Sequence, residues 1–174
     1  MLVALTGTPG TGKTSVAKLL PYKVVDINTL IKEEGLHLGV DEERGCLVAD
    51  VEALEKRIEE LISDDDDDMV VLESHFSHQF APLAIVLRTA PHNLRERLEK
   101  RGYLEKKIRE NLEAEALDVI LVEAVEWCNQ VHEIDTTEQD PEKVADLIVK
   151  IIEGQIVMPP GKIDWTEEID FDFK

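Results

Sequence analysis

Eight residues near the N-terminus constrain this chain more than any others: Gly7-Thr8-Pro9-Gly10-Thr11-Gly12-Lys13-Thr14. They match the pattern G-x-x-x-x-G-K-[ST] at every fixed position. A short apolar run at residues 2–6 leads in, and a helical pattern at residues 14–20 leads out, with Pro21 as its stop. In that strand–loop–helix setting the glycines let backbone N–H groups curl around phosphate oxygens, and the helix start adds partial positive charge. Lys13 can reach the outer phosphates, and the Thr14 hydroxyl can ligate Mg²⁺. The motif therefore implies a nucleoside triphosphate with Mg²⁺. It does not choose between a kinase, an ATPase and a switch GTPase.

Strand and helix patterns alternate over the rest of the chain. A weak strand at residues 24–25 precedes a short helix at 27–34. Residues 35–46 read as loop, with Gly35, Gly39 and Gly45 as breakers. Val51, Leu54, Ile58, Leu61 and Ile62 define an amphipathic helix over residues 50–63, with Asp50 at its N-cap. Residues 69–72 and 83–87 are unbroken apolar runs, as a buried parallel sheet requires. Helices are predicted over 91–101 and 104–127, a last strand over 131–134, and a last helix over 140–154 with Pro141 in its first turn. This order implies an α/β fold with a mostly parallel sheet covered on both faces.

Two further features point to phosphate chemistry. Glu73 closes the apolar run at 69–72, where the carboxyl edge of the sheet should lie and where open α/β folds bind ligands. It is the candidate second Mg²⁺ ligand beside Thr14. His75, two residues on, is a candidate for polarising a water or a phosphate, whereas His78 reads as a bystander. Residues 91–110 carry seven basic side chains against four acidic ones in a chain of net charge −19. Pairs such as Glu96–Lys100 and Glu105–Arg109 account for part of that island. Gly102 nevertheless breaks the helix and leaves Lys100-Arg101-Gly102-Tyr103 at a turn, able to close over a transferring phosphoryl group. Arg88 ends the fourth strand and is either a phosphate ligand or one half of a structural ion pair.

With these motifs together, the chain resembles the adenylate kinase isoenzyme 6 family, and within it the archaeal type. The resemblance covers about residues 1–153. It rests on the phosphate loop, Asp41-Glu42-Glu43 followed by Cys46, Glu73-Ser74-His75 and Val86-Leu87-Arg88-Thr89. Its most specific stretch is Arg97-Leu98-Glu99-Lys100-Arg101-Gly102-Tyr103 with Glu105-Lys106-Lys107 and Asn111. The resemblance implies a P-loop nucleoside monophosphate kinase fold with a five-stranded parallel sheet, helices on both faces and a short lid. It places the kinase domain at residues 1–158, the acceptor-binding segment at about 26–49 and the lid at about 100–110. Gly10, Thr11, Gly12, Lys13, Thr14 and Ser15 are then the ATP-phosphate ligands, Arg101 the lid arginine, and Asp140 a neighbour of the adenine. Lys13, Arg101 and His75 are the catalytic candidates. Lys32, Arg44 and Arg88 are those for the acceptor phosphate. The implied reaction is ATP plus AMP giving two ADP, with Mg²⁺ and a slower ATPase activity. The family also implies a part in maturing the small ribosomal subunit, through a basic ribosomal protein. Glu73 stands where the family often has Asp, and Lys32 where eukaryotic members have Arg, which offers a bidentate fork that Lys lacks.

The charge balance limits partners. A strongly acidic surface repels nucleic-acid backbones and anionic lipid, so neither long nucleic acid nor membrane is expected to bind. The acid is concentrated in residues 41–68 and 113–146, each at −10. These faces suit a basic protein, which raises a second reading: an ATP-gated assembly factor. A kinase of another small molecule is a third. Cys46 and Cys128 give no disulfide framework and read as core filler in a reducing compartment, cytoplasmic in a prokaryote or nuclear in a eukaryote. A monomer or small oligomer is expected. The acidic tail at residues 159–174, with Trp165, Phe171 and Phe173, is predicted either to dock on the domain or to remain a loose terminus.

Overall fold

The computed structural model describes residues 1–42, 45–63 and 69–168. In chain order the elements are β1 (Leu2–Thr6), α1 (Lys13–Ala17), β2 (Lys23–Asp26), α2 (Ile27–Glu34), β3 (His37–Asp41), β4 (Cys46–Ala49) and α3 (Val51–Ser63). They continue with β5 (Val70–Glu73), β6 (Leu83–Arg88), α4 (Pro91–Lys100), α5 (Glu105–Ala116), α6 (Val119–Trp127), β7 (Gln130–Asp135) and α7 (Pro141–Ile152). Five strands form one parallel sheet in the order β2-β5-β1-β6-β7. The P-loop kinase fold expected from the sequence is the fold observed.

Alternation along the strands sorts the core into two layers. Val3 and Leu5 point to the face covered by α1 and α7, where they join Val71, Ile85, Leu87, Ile134, Val144 and Ile148. Ala4, Ala84 and Val86 point the other way, beneath Leu121 and Ala124 of α6. On that same side Val70 and Leu72 meet α2 and α3 through Ile27, Ile31, Leu54 and Ile58. A separate cluster of Leu94, Leu98, Ile108 and Leu112 locks α4 against α5. Every residue of β5 and β6 is buried, which explains their unbroken apolar sequence.

Four expectations change. Residues 35–46 are not simply loop: β3 and β4 pair there as an antiparallel hairpin. The helix expected over 104–127 is two helices, broken at Asp118, whose φ of 56° lies in the left-handed region. Cys46 is exposed and is not core filler. The helix after the phosphate loop is also shorter than its pattern suggests. It ends at Ala17 and gives way to tight turns, Leu19 N–H to Val16 O and Leu20 N–H to Ala17 O, because Pro21 disfavours helical geometry at Leu20.

The described part of the tail lies on the domain. Glu133 N–H donates to Met158 O, and Met158 N–H donates to His132 Nδ1 at 3.1 Å. Gly161 N–H and Lys162 N–H both donate to Glu133 Oε2, at 3.0 and 3.2 Å. The indole of Trp165 is half-buried. Phe171 and Phe173 lie outside the described residues.

Candidate active site

The carboxyl ends of β1, β5 and β2 come level at one edge, since Leu5 pairs with Glu73 and Glu73 with Asp26. The phosphate loop leaves β1 at this edge. Two glycines are required by close packing as well as by positive φ. A Cβ at Gly7 would lie 2.4 Å from the carbonyl oxygen of Leu87, and one at Gly10 would lie 2.7 Å from Leu94 Cδ1. The loop is thus seated directly on β6 and on α4.

Lys13 is buried, and its ammonium folds back onto its own loop, donating to Gly7 O at 2.6 Å and Thr8 O at 3.1 Å. Burial lowers its pKa to about 8, opposed by the charges of Glu73 and Glu115, while Arg101 adds to the lowering. The Thr14 hydroxyl points at Glu73, 3.4 Å from each carboxylate oxygen. Burial and the nearby Asp26 push the Glu73 carboxyl up, and Lys13, Thr14 and Arg101 pull it back. Thr14 and Glu73 are hard oxygen donors, the chemistry Mg²⁺ selects, so the residues present fit that ion. Among the described residues no cluster of three or more His, Cys, Asp or Glu side chains forms a metal site of its own.

A cleft of about 390 Å³ runs from Gly12 and Ser15 past Arg97 and Arg101 to Thr136, Gln139 and Pro141. Of the nucleotide ligands expected from the sequence, Gly10, Thr11, Gly12, Ser15 and Arg101 line this cleft, whereas Lys13 and Thr14 are not among its lining residues. Sequence reasoning missed three others. Arg97 donates to Thr136 O and Thr137 O at 2.9 and 3.1 Å, and reaches Gly10 O at 3.4 Å. The Thr136 hydroxyl donates to Thr11 O at 2.8 Å. Gln139 forms the wall where Asp140 was expected. Asp140 instead occupies the N-cap position of α7 with its carboxylate in solvent, 3.9 Å from Lys143. The N-cap geometry turns this side chain outward while its flanking residues face in.

His75 borders the site on an exposed turn, its ring edge-on to Phe76. The protein packed around it, together with Lys13, His78 and Lys107, holds its pKa below the ordinary histidine value. A neutral imidazole follows at neutral pH, able to orient a water but not to add positive charge. His78 is buried away from solvent between Thr6 and Glu123. Lys32 is exposed in the last turn of α2, and Arg44 lies outside the described residues.

Arg88 resolves in favour of the structural alternative. It is 1% exposed and faces three carboxylates, so it is not presented to an acceptor phosphate. Nε donates to Glu115 at 2.8 Å, Nη1 to Glu133 at 2.7 Å, and Nη2 to Asp118 and to the Glu115 carbonyl. Glu115 and Asp118 come from the junction of α5 and α6 and Glu133 from β7, and only folding brings them to one guanidinium.

An AAA domain family matches residues 3–118 of the chain. A protein of Methanosarcina barkeri, named "Putative adenylate kinase", is 50% identical over 96% of this chain and 98% of its own length. A protein of the same name from Methanosarcina acetivorans is 46% identical over 97% of this chain and 100% of its own. The chain belongs to this archaeal adenylate kinase family. Its fold is also that of shikimate kinase from Acinetobacter baumannii, with a TM-score of 0.58 over 88% of this chain and 93% of that one, at 16% identity. In this chain the phosphate loop and Arg101 line one cleft, and Thr14 on the same loop faces Glu73. Among the described residues no helix is long and apolar enough to cross a membrane.

Proposed function

We propose that the chain is a nucleoside monophosphate kinase that moves the γ-phosphoryl group of ATP to AMP, yielding two ADP. The observation that carries this reading is Lys13: a buried ammonium hydrogen-bonded to the carbonyls of its own loop, next in sequence to Gly12, which lines a cleft of about 390 Å³ together with Arg97 and Arg101. Phosphate oxygens can replace those carbonyls without a change of fold. The loop amides and Lys13 hold the β- and γ-phosphates, and Arg101 neutralises charge from the opposite wall. Thr14 and Glu73 would hold Mg²⁺, which supplies charge screening between the β- and γ-phosphates when bound. An oxygen of the AMP phosphate attacks the γ-phosphorus, the bond to the β,γ-bridging oxygen breaks, and ADP leaves. The attacking oxygen is already anionic, so the reaction needs no general base. With no acceptor, His75 can orient a water and give slow ATP hydrolysis.

A second reading, an ATP-gated assembly factor in small-subunit maturation, is favoured by one observation. Val119, Val122 and Trp127 of α6 stay exposed, with Glu123 and Glu126 beside them. An apolar stripe within an acidic segment suits a basic ribosomal protein. The deciding experiment is an acceptor panel of AMP, other monophosphates and no acceptor, run with and without such a protein. Rapid ADP formation that requires AMP supports the kinase. Turnover that ignores acceptors but responds to the basic protein supports the assembly factor. ADP formation that survives Lys13→Ala would overturn both.

A further inference from the structure

Beneath the phosphate loop lies a carboxylate that the phosphate-transfer scheme does not use. Glu115 is 2% exposed and sits in the last turn of α5, the helix that follows the Arg101 turn. Its two oxygens accept three hydrogen bonds. Oε1 takes Arg88 Nε at 2.8 Å and the Thr89 amide at 3.0 Å. Oε2 takes the Thr8 hydroxyl at 2.5 Å, across 107 residues of chain. Thr8 is a variable position of the loop motif, so its identity is free of the motif's own demands.

The backbone of Thr8 is equally committed. Its carbonyl accepts from the Thr11 amide at 3.2 Å, the Thr11 hydroxyl at 2.9 Å and Lys13 Nζ at 3.1 Å. One residue therefore touches Glu115 through its side chain and Lys13 through its carbonyl. Fixing the hydroxyl fixes the peptide plane that receives the lysine. The same Glu115 is anchored to β6 through Arg88 and Thr89, and it is part of the helix that leads back to Arg101.

We propose that Glu115 is a positioning residue that sets the conformation of the phosphate loop through the Thr8 hydroxyl and ties the loop to the lid arm. Its target is the resting position of Lys13, the group that nucleotide binding must redirect. This deepens the kinase reading and rests on it only for turnover, since nucleotide binding can be measured without an acceptor.

The test uses the full chain and titration with a fluorescent N-methylanthraniloyl ATP, alongside initial rates with ATP and AMP. Thr8→Val removes the hydroxyl with little change of shape and should weaken nucleotide binding about tenfold. Thr8→Ser restores the hydroxyl and should return affinity to within about twofold of the parent. Glu115→Gln should weaken binding at least as much as Thr8→Val. The double variant should cost no more than Glu115→Gln alone, because both changes break one link. In turnover the loss should appear mainly in KM for ATP. Affinity unchanged in Thr8→Val, failure of Thr8→Ser to rescue, or additive losses in the double variant would each overturn the proposal. If Glu115→Gln does not fold, the Thr8 pair still decides. A parent protein that binds ATP but makes no ADP would sink the kinase reading and leave this binding test intact.

Discussion

At the scale of single residues, the site depends on how burial and charge set Lys13 and Arg88. Burial lowers the pKa of Lys13 to about 8. Phosphate contact favours the charged ammonium and raises that pKa, so binding takes up protons at any pH between the two values. Affinity for ATP should then be level below about pH 8 and fall as pH rises through it. Titrations from pH 6.5 to 9.5 at constant ionic strength check this, and a flat profile would contradict it. Arg88 makes the opposite case, because its charge cannot be removed but its partners can be stranded. Arg88→Met leaves Glu115 and Glu133 buried without a counter-charge and should cost about 3–5 kcal/mol in urea unfolding. Converting Glu115 and Glu133 to Gln in that background should recover much of the loss, since the penalty belongs to the unpaired carboxylates. Neither role can be read from neighbours in sequence. Lys13 is declared by a local motif, whereas the three acids around Arg88 lie 27 to 45 residues away.

At the scale of elements, what was legible depended on whether local pattern or tertiary contact decided the structure. The five parallel strands follow from apolar runs and appear where expected, and so do α2, α3, α4 and α7 from their helical spacing. The hairpin of β3 and β4 was hidden because its residues alternate between half-buried and exposed, so no apolar run announces it. The break between α5 and α6 was hidden for a different reason. Nothing in Ala116-Leu117-Asp118-Val119 stops a helix, but Asp118 is held by Arg88 in a left-handed conformation that helix propensity opposes. Within the site, the glycine pattern was legible but its packing was not. Gly10→Ala would force a Cβ to within 2.7 Å of Leu94 and 3.1 Å of Leu98 at a φ of +98°. That strain and overpacking should lower stability by more than about 1 kcal/mol. Gly7→Ala should be worse, because the obstructing atom is the backbone oxygen of Leu87. Thermal unfolding with and without ATP would rank the two, and equal melting temperatures for parent and Gly7→Ala would refute the packing argument.

At the scale of the whole molecule, Arg88 and Glu133 join the middle of the chain to its C-terminal tail. Glu133 receives Arg88 on one oxygen and the amides of Gly161 and Lys162 on the other. Ending the chain after Met158 removes both amide donors from a buried carboxylate. A loss of about 1–3 kcal/mol is expected, read as a lower urea midpoint with nucleotide binding retained. An unchanged midpoint would mean that the tail contributes nothing to the fold. The strand order has a consequence for the chain during its synthesis. β1 begins at residue 2 yet pairs only with β5 and β6, whose residues run from 70 to 88. The loop it carries is then braced by Glu115 and by Thr136. A nascent chain therefore holds β1 as an unpaired apolar strand with an unformed phosphate site until most of the protein has been made. Because parallel pairing across such separations is slow, competence to bind nucleotide should arrive late and nearly all at once. Chains stalled before residue 136 should fail to retain ATP, so the nucleotide can report on completion of the polypeptide.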